Sequence, residues 1–341
     1  MPRILLTGGC GYIASHTALD LLSHGYDVTV LDNLSNSSVV ALERVKELSG
    51  KDIEFEKVDV RDRQALFALF QRTKFDGVVH FAALKAVGES VANPLTYYEN
   101  NMTGAINLLQ AMQAHGVKTF VFSSSATVYQ PKETLLNEND PLGASNPYGH
   151  TKVWIEQMLQ DLFTADKEWR ISILRYFNPV GCHPSGRIGE SPDQPMNLLP
   201  YIQQVAVGRK DSLKVFGNDW PTRDGTGVRD YIHVQDLSEG HVVSLNVLRK
   251  QTEGCCLVHN LGSGEGVSVI EMAEIFEKTS GVKIPYEIVG RRAGDLATVV
   301  ADPSKAESEW GWKTTHTIEE ACSSAWKWQS ENPYGYEDKK N

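Results

Sequence analysis

Residues Arg3 to Thr7 make an apolar run of the length of a buried strand, and Thr7-Gly-Gly-Cys-Gly-Tyr-Ile-Ala14 follows directly. The spacing of Ala18, Leu19, Leu21 and Leu22 then reads as a helix. Strand, glycine turn and helix start in that order form a cradle for phosphate. Glycines let the backbone approach a pyrophosphate, and the helix N-terminus supplies N–H groups and positive potential. The motif reads as Gly8-x-x-Gly11-x-x-Ala14 or as Gly9-x-Gly11-x-x-Ala14, with Tyr12 and Ile13 opening the helix. Its last position needs only a small side chain for helix–strand packing, so alanine serves. A second strand, Asp27 to Leu31, ends in Asp32, about 20 residues past the turn, where a ribose 2′-hydroxyl would lie. A carboxylate there accepts from that hydroxyl and repels a 2′-phosphate, which favours NAD over NADP. The competing reading of Asp32 is a turn former. Asn33, Asn36 and Ser37 either help hold the same ribose or cap the next helix.

Further strands follow at βα spacing. Ile53 to Val58 ends in Asp59-Val60, an acid placed either to read an adenine amino group or to cap a helix. Val78 to Phe81 leads into Ala82-Ala83-Leu84-Lys85. Tyr97 to His115 reads as one long helix whose apolar pattern is interrupted by Asn100 and Asn101. Phe120 to Phe122 and Ile171 to Leu174 supply the fifth and sixth strands. The alternation predicts an α/β fold, a doubly wound parallel sheet of the NAD-binding Rossmann type, with ligands at the carboxyl ends of its strands. From about residue 180 prolines and glycines replace the regular alternation. The chain therefore divides into an NAD-binding domain over 1–180, with a return segment near 229–260, and a smaller mixed α/β substrate domain over 181–341. The last residues, from Glu337 on, read as a loose tail.

The chemistry concentrates in Tyr148-Gly-His-Thr-Lys152. On a helix Tyr148 and Lys152 stand one turn apart on one face. A free phenol ionises near pH ~10, and a neighbouring ammonium favours the phenolate, so the pair is expected to act as a base near neutrality. Ser123-Ser-Ser125 ends the fifth strand just before this helix; strand-end serines often only turn the chain, but here a hydroxyl could orient a reacting sugar hydroxyl. Arg229 and Arg292 lie in separate loops and could clamp a diphosphate bidentately, or form surface ion pairs. Phe216 either stacks on a nucleobase or fills core.

With a net charge of −10 the chain advertises no basic surface for nucleic acid or anionic membranes. Its five scattered cysteines form no CxxC or zinc-like set, which suits a reducing cytoplasm and predicts no metal centre. No apolar run approaches a membrane span, and no signal-peptide pattern opens the sequence.

Taken together, Gly8-Gly-Cys-Gly-Tyr-Ile, His80-Phe-Ala-Ala-Leu-Lys-Ala-Val-Gly-Glu-Ser90, Ser123-Ser-Ser-Ala-Thr-Val-Tyr129, Tyr148-Gly-His-Thr-Lys152, Arg175-Tyr-Phe-Asn-Pro-Val-Gly181, Asp224-Gly-Thr-Gly-Val-Arg-Asp-Tyr-Ile-His-Val234 and Gly290-Arg-Arg-Ala-Gly-Asp295 occur in order. With these motifs the chain resembles the UDP-glucose 4-epimerases of the extended short-chain dehydrogenase/reductase superfamily over nearly its whole length. The resemblance implies tightly held NAD, interconversion of UDP-glucose and UDP-galactose, and a homodimer packed through long helices. It implies Tyr148 as catalytic base, Lys152 as its partner and ribose ligand, and Ser125 as a bridge between substrate and Tyr148. It assigns NAD contacts to Gly8, Gly11, Tyr12, Ile13, Asp32, Asn33, Asn36, Ser37, Asp59, Val60, Phe81, Ala82, Ala83, Lys85, Asn100, Ser123, Tyr148, Lys152 and Tyr176. It assigns UDP-sugar contacts to Lys85, Ser125, Tyr148, Asn178, Asn197, Leu198, Phe216, Arg229, Tyr231, Val269, Arg292, Asp295 and Val299.

The chain departs from the family pattern at Ala14 and Ala83, each adding a methyl near NAD, at Gln130, and at Met196 beside Asn197. Small changes in cofactor fit and one altered uridine or phosphate contact are expected. Val299 resembles the gate of the sugar pocket, where a bulky tyrosine excludes N-acetyl groups. Valine implies some activity on UDP-N-acetylhexosamines. Two rival readings are a sister nucleotide-sugar epimerase or dehydratase, and a non-catalytic NAD or UDP-sugar sensor. A dehydratase would show an acidic pair where Ala126-Thr127 stands, and a sensor would show a damaged base or clamp.

Overall fold

The computed structural model describes residues 1–132, 134–292 and 295–337. In chain order it holds β1 (Arg3–Thr7), α1 (Tyr12–Ser23), β2 (Asp27–Asp32), α2 (Val40–Ser49), β3 (Glu54–Lys57), α3 (Arg63–Arg72), β4 (Gly77–His80), α4 (Val87–Ala92), α5 (Pro94–Tyr97), a π-helical turn (Tyr98–Thr103), α6 (Gly104–Ala114), β5 (Thr119–Ser123), α7 (Pro147–Ala165) and β6 (Arg170–Tyr176). After these come β7 (Asn178–Val180), α8 (Leu198–Ala206), β8 (Leu213–Phe216), β9 (Val228–His233), α9 (Val234–Lys250), β10 (Cys255–Leu261), β11 (Gly266–Ser268), α10 (Val269–Ser280), β12 (Tyr286–Val289), β13 (Thr298–Val299), α11 (Ser304–Trp310) and α12 (Ile318–Glu331). The tail beyond Glu337 lies outside the described residues, as do Ala293 and Gly294.

The chain forms two compact units. The first comprises residues 1–130, 138–176 and 238–259. Its sheet has the order β10-β6-β5-β4-β1-β2-β3. The pairings β1–β2, β1–β4, β2–β3, β4–β5 and β5–β6 are all parallel. The order doubles back at β1, so β1 and β4 mark the switch point where such sheets bind ligands. Their central strands are continuous apolar runs, as burial on both faces demands. Leu5, Val78, Phe120 and Ile171 pack against Leu66, Leu108, Met112, Ile155 and Leu159 of the flanking helices. The α/β fold class is as expected; β10, which follows α9 after a short turn, was missed because the regular βα alternation breaks off after β6 and the chain returns to this sheet only after β7, α8, β8 and β9.

The long helix expected over Tyr97–His115 is present as a continuous helical run from Pro94 to Ala114, with the π turn inserted at Tyr98–Thr103. The extra residue turns Asn101 inward. Its Oδ1 accepts from Leu84 N at 2.9 Å, and its Nδ2 donates to Leu84 O and Thr151 Oγ1, each at 3.1 Å. The break in the apolar pattern thus marks a tie between the segment after β4 and α7.

The second unit comprises residues 131–137, 177–237 and 260–341. Here β9 pairs antiparallel with β11 and parallel with β7 and β13, and β8 pairs parallel with β12. Leu199, Ile202, Val215, Phe276 and Trp328 form its core with α8, α10 and α12. Capping boxes start α10 (Ser268 with Glu271) and α12 (Thr317 with Glu320). Among the described residues no helix is long and apolar enough to cross a membrane.

Candidate functional site

The phosphate cradle has the shape its sequence demands. Gly8 has φ +67°, and a Cβ there would lie 2.7 Å from Ala82 N. No other residue type fits so close to the backbone after β4. Gly11 is the N-cap of α1, with no side chain capping the helix. Ala14 is buried against the sheet. These features leave room for a pyrophosphate at the turn, so the residues present fit a dinucleotide.

Asp32 closes β2 and is buried. Its oxygens accept from Cys10 N at 3.0 Å, Leu34 N at 2.8 Å and the Ser37 hydroxyl at 2.8 Å. The carboxylate is held rigidly, and one of its four acceptor sites stays available. Ser37 therefore serves Asp32, and neither Asn36 nor Ser37 caps α2, whose N-cap is Val39. Asn33 donates to Asp59 at 2.9 Å, and Arg61 grips the same carboxylate through Nε at 3.0 Å. Hydrogen bonds from Arg61, winning over burial, hold the Asp59 carboxyl far below the usual range. The capping alternative for Asp59 is overturned: Asp62 caps α3, accepting from Ala65 N at 3.0 Å. Val60 is buried, against the place where a Cβ on Gly104 would fall.

At the ends of β4, β5 and β6 the structure brings together Phe81, Ser123, Ser125, Tyr148, Lys152 and Tyr176. Asn146 caps α7, accepting from Gly149 N at 2.9 Å, and Pro147 occupies its first turn. Tyr148 is thereby fixed at the helix start. A Cβ on Gly149 would lie 2.8 Å from Thr127 O and 2.7 Å from Ala144 Cβ, so glycine lets α7 press against the loop after β5. Ser125 Oγ accepts from Thr127 N at 3.2 Å and from Thr127 Oγ1 at 3.0 Å. Both its lone pairs are used, so its single proton goes to the Tyr148 phenol.

The electrostatics correct a sequence-level expectation. One ammonium was expected to make the phenol acidic. Burial instead pushes the Tyr148 phenol up, and the opposing pull comes from the Ser125 hydrogen bond and the charge of Lys85. Lys152 Nζ donates to Ser123 O at 2.7 Å and lies 5.8 Å from the Tyr148 ring centroid. Burial lowers the Lys152 ammonium to about 7, and Glu156 pulls it back upward. His80, buried between Phe120 and Phe122, is depressed to about 3 by burial and by Lys152, and hydrogen-bonds Thr7 Oγ1 at 2.7 Å.

One turn past Lys152, Glu156 is completely buried. Arg175 Nε lies 3.1 Å from each of its oxygens, and Arg175 Nη2 lies 2.6 Å from Oε2. Ser124 donates to the same carboxylate, and Arg175 Nη1 reaches Tyr129 Oη at 3.1 Å. Sequence reasoning quoted Arg175 without a task and missed Glu156 and Ser124. The readable signal was an acid at i+4 from Lys152 on a helix face already committed to the interior.

Lys85 is exposed and Asn100 half-buried beside this cluster, with Asn100 Nδ2 donating to Asn101 Oδ1 at 3.0 Å; Ala82 and Ala83 are half-buried on the loop after β4.

In the second unit Arg229 and Arg292 converge on Asp295. Arg292 Nη2 donates to Asp295 Oδ1 at 2.8 Å, and Arg229 Nη2 lies 3.6 Å from the same oxygen. Arg229 is also held by Val228 O at 2.8 Å and Leu296 O at 2.9 Å. Phe216 is 40% exposed, with the Arg292 guanidinium 5.6 Å from its ring centroid, which overturns the core alternative. Asn178 pairs with Tyr231 across β7 and β9, and Val299 pairs with Arg229 across β13 and β9. Asn197, the N-cap of α8 before Leu198, donates to Glu190 at 3.3 Å; Met196 beside it is exposed. Val269 opens α10, its N–H donating to Gly227 O at 3.2 Å.

Comparison with known proteins matches this arrangement. The family model described as GDP-mannose 4,6 dehydratase covers residues 5–325. A UDP-glucose 4-epimerase of Bacillus subtilis (strain 168) is 57% identical, the match covering 98% of each chain. The chain belongs to the UDP-glucose 4-epimerase family. Among solved members, the Bifidobacterium longum epimerase, crystallised with NAD+ and UDP, superposes with a TM-score of 0.94 at 50% identity, covering 98% of this chain and 99% of its own. The Stenotrophomonas maltophila epimerase, with bound NAD and formylated UDP-arabinopyranose, gives 0.94 at 47% identity, covering 97% and 98%.

Proposed function

We propose that the protein interconverts UDP-glucose and UDP-galactose by inverting C4 of the hexose through a 4-keto sugar, with NAD retained throughout. The observation that carries this is the Ser125 hydroxyl, both lone pairs filled, giving its proton to a buried phenol beside Lys85 and Lys152. NAD held there would supply a hydride acceptor for C4 and a positive ring that favours the phenolate. The residues fit to hold it are Gly8, Gly11, Asp32, Asn33, Asp59, Phe81, Lys85, Asn100, Lys152 and Tyr176. Tyr148 takes the proton from O4 and later returns it, while the Ser125 proton steadies the phenolate in between. Burial excludes water, and so raises the phenol's basicity once the proton has gone.

In this reading residues 1–180, with the return segment near 229–260, serve the cofactor, and the rest of 181–341 serves the UDP-sugar. Arg229 and Arg292 take over the diphosphate from Asp295, Phe216 stacks on uracil, and Asn178, Asn197, Leu198, Tyr231 and Val269 complete the grip. Strong contacts to UDP and weak ones to the hexose let the keto sugar turn its other face between the two half-reactions. Val299 leaves space for an N-acetyl group, which extends the substrates to UDP-N-acetylhexosamines. Exposed Val91, Leu95, Ile106 and Trp154 on α4–α7 make an apolar face that a homodimer would cover. The five free cysteines suit a cytoplasmic enzyme.

The test is incubation of the purified protein with UDP-galactose and no added reductant. UDP-glucose should form, and Tyr148→Phe should retain NAD while losing about 10³-fold or more in kcat. A fully active Tyr148→Phe variant defeats the base assignment, and absence of UDP-glucose from the wild-type reaction defeats the function.

A further inference from the structure

Three consecutive serines close β5, and each hydroxyl goes to a different partner. Ser125 serves Tyr148, and Ser124 serves Glu156. The Ser123 hydroxyl hydrogen-bonds the Tyr176 phenol, and Ser123 Oγ lies 3.0 Å from His241 Nε2. His241 comes from α9, far along the chain, and is fully buried. Its ring lies against Phe81, with centroids 4.8 Å apart, and near Tyr176 at 6.0 Å. One imidazole therefore lies against Phe81, Ser123 and Tyr176, three residues that the family resemblance gives to the cofactor. It reaches them from behind, sealed from any substrate. Ser123 also carries the carbonyl that holds the Lys152 ammonium, so a shift of this serine moves both tyrosine-lined and lysine-lined walls of the pocket.

We propose that His241 is a positioning residue for the nicotinamide end of the cofactor. Through Ser123 it fixes the direction of the Tyr176 hydroxyl, and its ring backs Phe81, so the two together set where a planar ring comes to rest beside Tyr148. Core filling alone would need a ring of this size but not a hydrogen bond to a hydroxyl that has other work. The proposal rests on the NAD reading and not on epimerisation itself.

Two measurements test it: NAD retained per protomer after dialysis, and the NAD concentration that restores the melting temperature. His241→Phe keeps the ring and loses the hydrogen bond; its apparent Kd for NAD should rise about tenfold, the scale of one buried hydrogen bond. UDP affinity, read by calorimetry, should stay within about twofold, because distant independent sites do not couple. His241→Gln can still bond Ser123 and should recover NAD affinity to within about threefold of wild type. Ser123→Ala removes this bond and the one to Tyr176, so it should weaken NAD at least as much as His241→Phe, and adding His241→Phe to it should cost little more, since the shared bond is already gone. NAD affinity unchanged in His241→Phe overturns the proposal, as do additive effects of the two substitutions. Should His241→Phe fail to fold, Ser123→Ala and His241→Gln decide: equal NAD affinity in those two overturns it. A protein that binds NAD yet leaves UDP-galactose unconverted would sink the epimerase reading while His241 is still judged by NAD affinity.

Discussion

The Lys152 ammonium sits 2.7 Å from the Ser123 carbonyl oxygen and not on the Tyr148 phenol. Its influence on the base is thus exerted through space and through the shape of the β5 terminus. A cation buried so deeply is a burden to the fold. Its folded pKa of about 7 lies below the ordinary lysine value, so the unfolded chain binds the extra proton between those two values. The penalty is full below pH 7 and fades as pH rises toward the free lysine value. Lys152→Met should therefore melt above wild type at pH 6, with the gap narrowing by pH 10, while kcat falls about 10²-fold or more. Calorimetric melts across that pH range and a steady-state assay check both signs.

Ser125 offers a cleaner readout of the proton path. Its hydrogen bond favours the Tyr148 phenolate. Ser125→Ala should move the acid limb of the kcat profile to higher pH, because the phenol then ionises less readily, and should lower kcat by about tenfold to a hundredfold. An acid limb that stays in place would separate Ser125 from the base.

The Glu156–Arg175 pair should behave as a buried salt bridge does. Removing one partner strands a charge in the interior, so Glu156→Leu and Arg175→Met should each cost about 3–5 kcal/mol in denaturant unfolding. Glu156→Leu combined with Arg175→Met should cost less than the singles add up to. Additive losses would show that the two side chains act independently.

Val299 stands opposite Arg229 in the second unit's sheet. Val299→Tyr should reduce turnover of UDP-N-acetylglucosamine about tenfold or more relative to UDP-glucose, by occupying space an acetyl group needs. Parallel assays on the two substrates give the ratio directly.

Leu95 is 79% exposed and Trp154, stacked on Tyr98 with ring centroids 5.2 Å apart, is 47% exposed. If the proposed homodimer forms through this face, Leu95→Glu with Trp154→Glu should leave a monomer at about micromolar concentration, since charges at the centre of an apolar interface are disfavoured. Light scattering on both forms reports it.

The first six strands and the glycine turn were readable because they rest on local rules: apolar runs, glycine spacing, a carboxylate at a fixed distance. Tyr148 and Lys152 were readable for the same reason, being one helical turn apart. What stayed hidden depends on chain returns. Nothing local in Cys255–Leu261 announces a seventh strand, and nothing near His241 announces that it will stand behind Ser123. The Tyr148 phenol was misjudged because a pairwise argument about charge ignored burial, which dominates once the ring is enclosed.

At position 149 the helix that carries the phenol abuts the loop that carries its serine, with no room for a single carbon between them. The reach of that hydroxyl is therefore set by an atom the chain does not have. An alanine there would act as a shim, easing the two walls apart by tenths of an ångström and slackening the proton's route without touching any group that handles it.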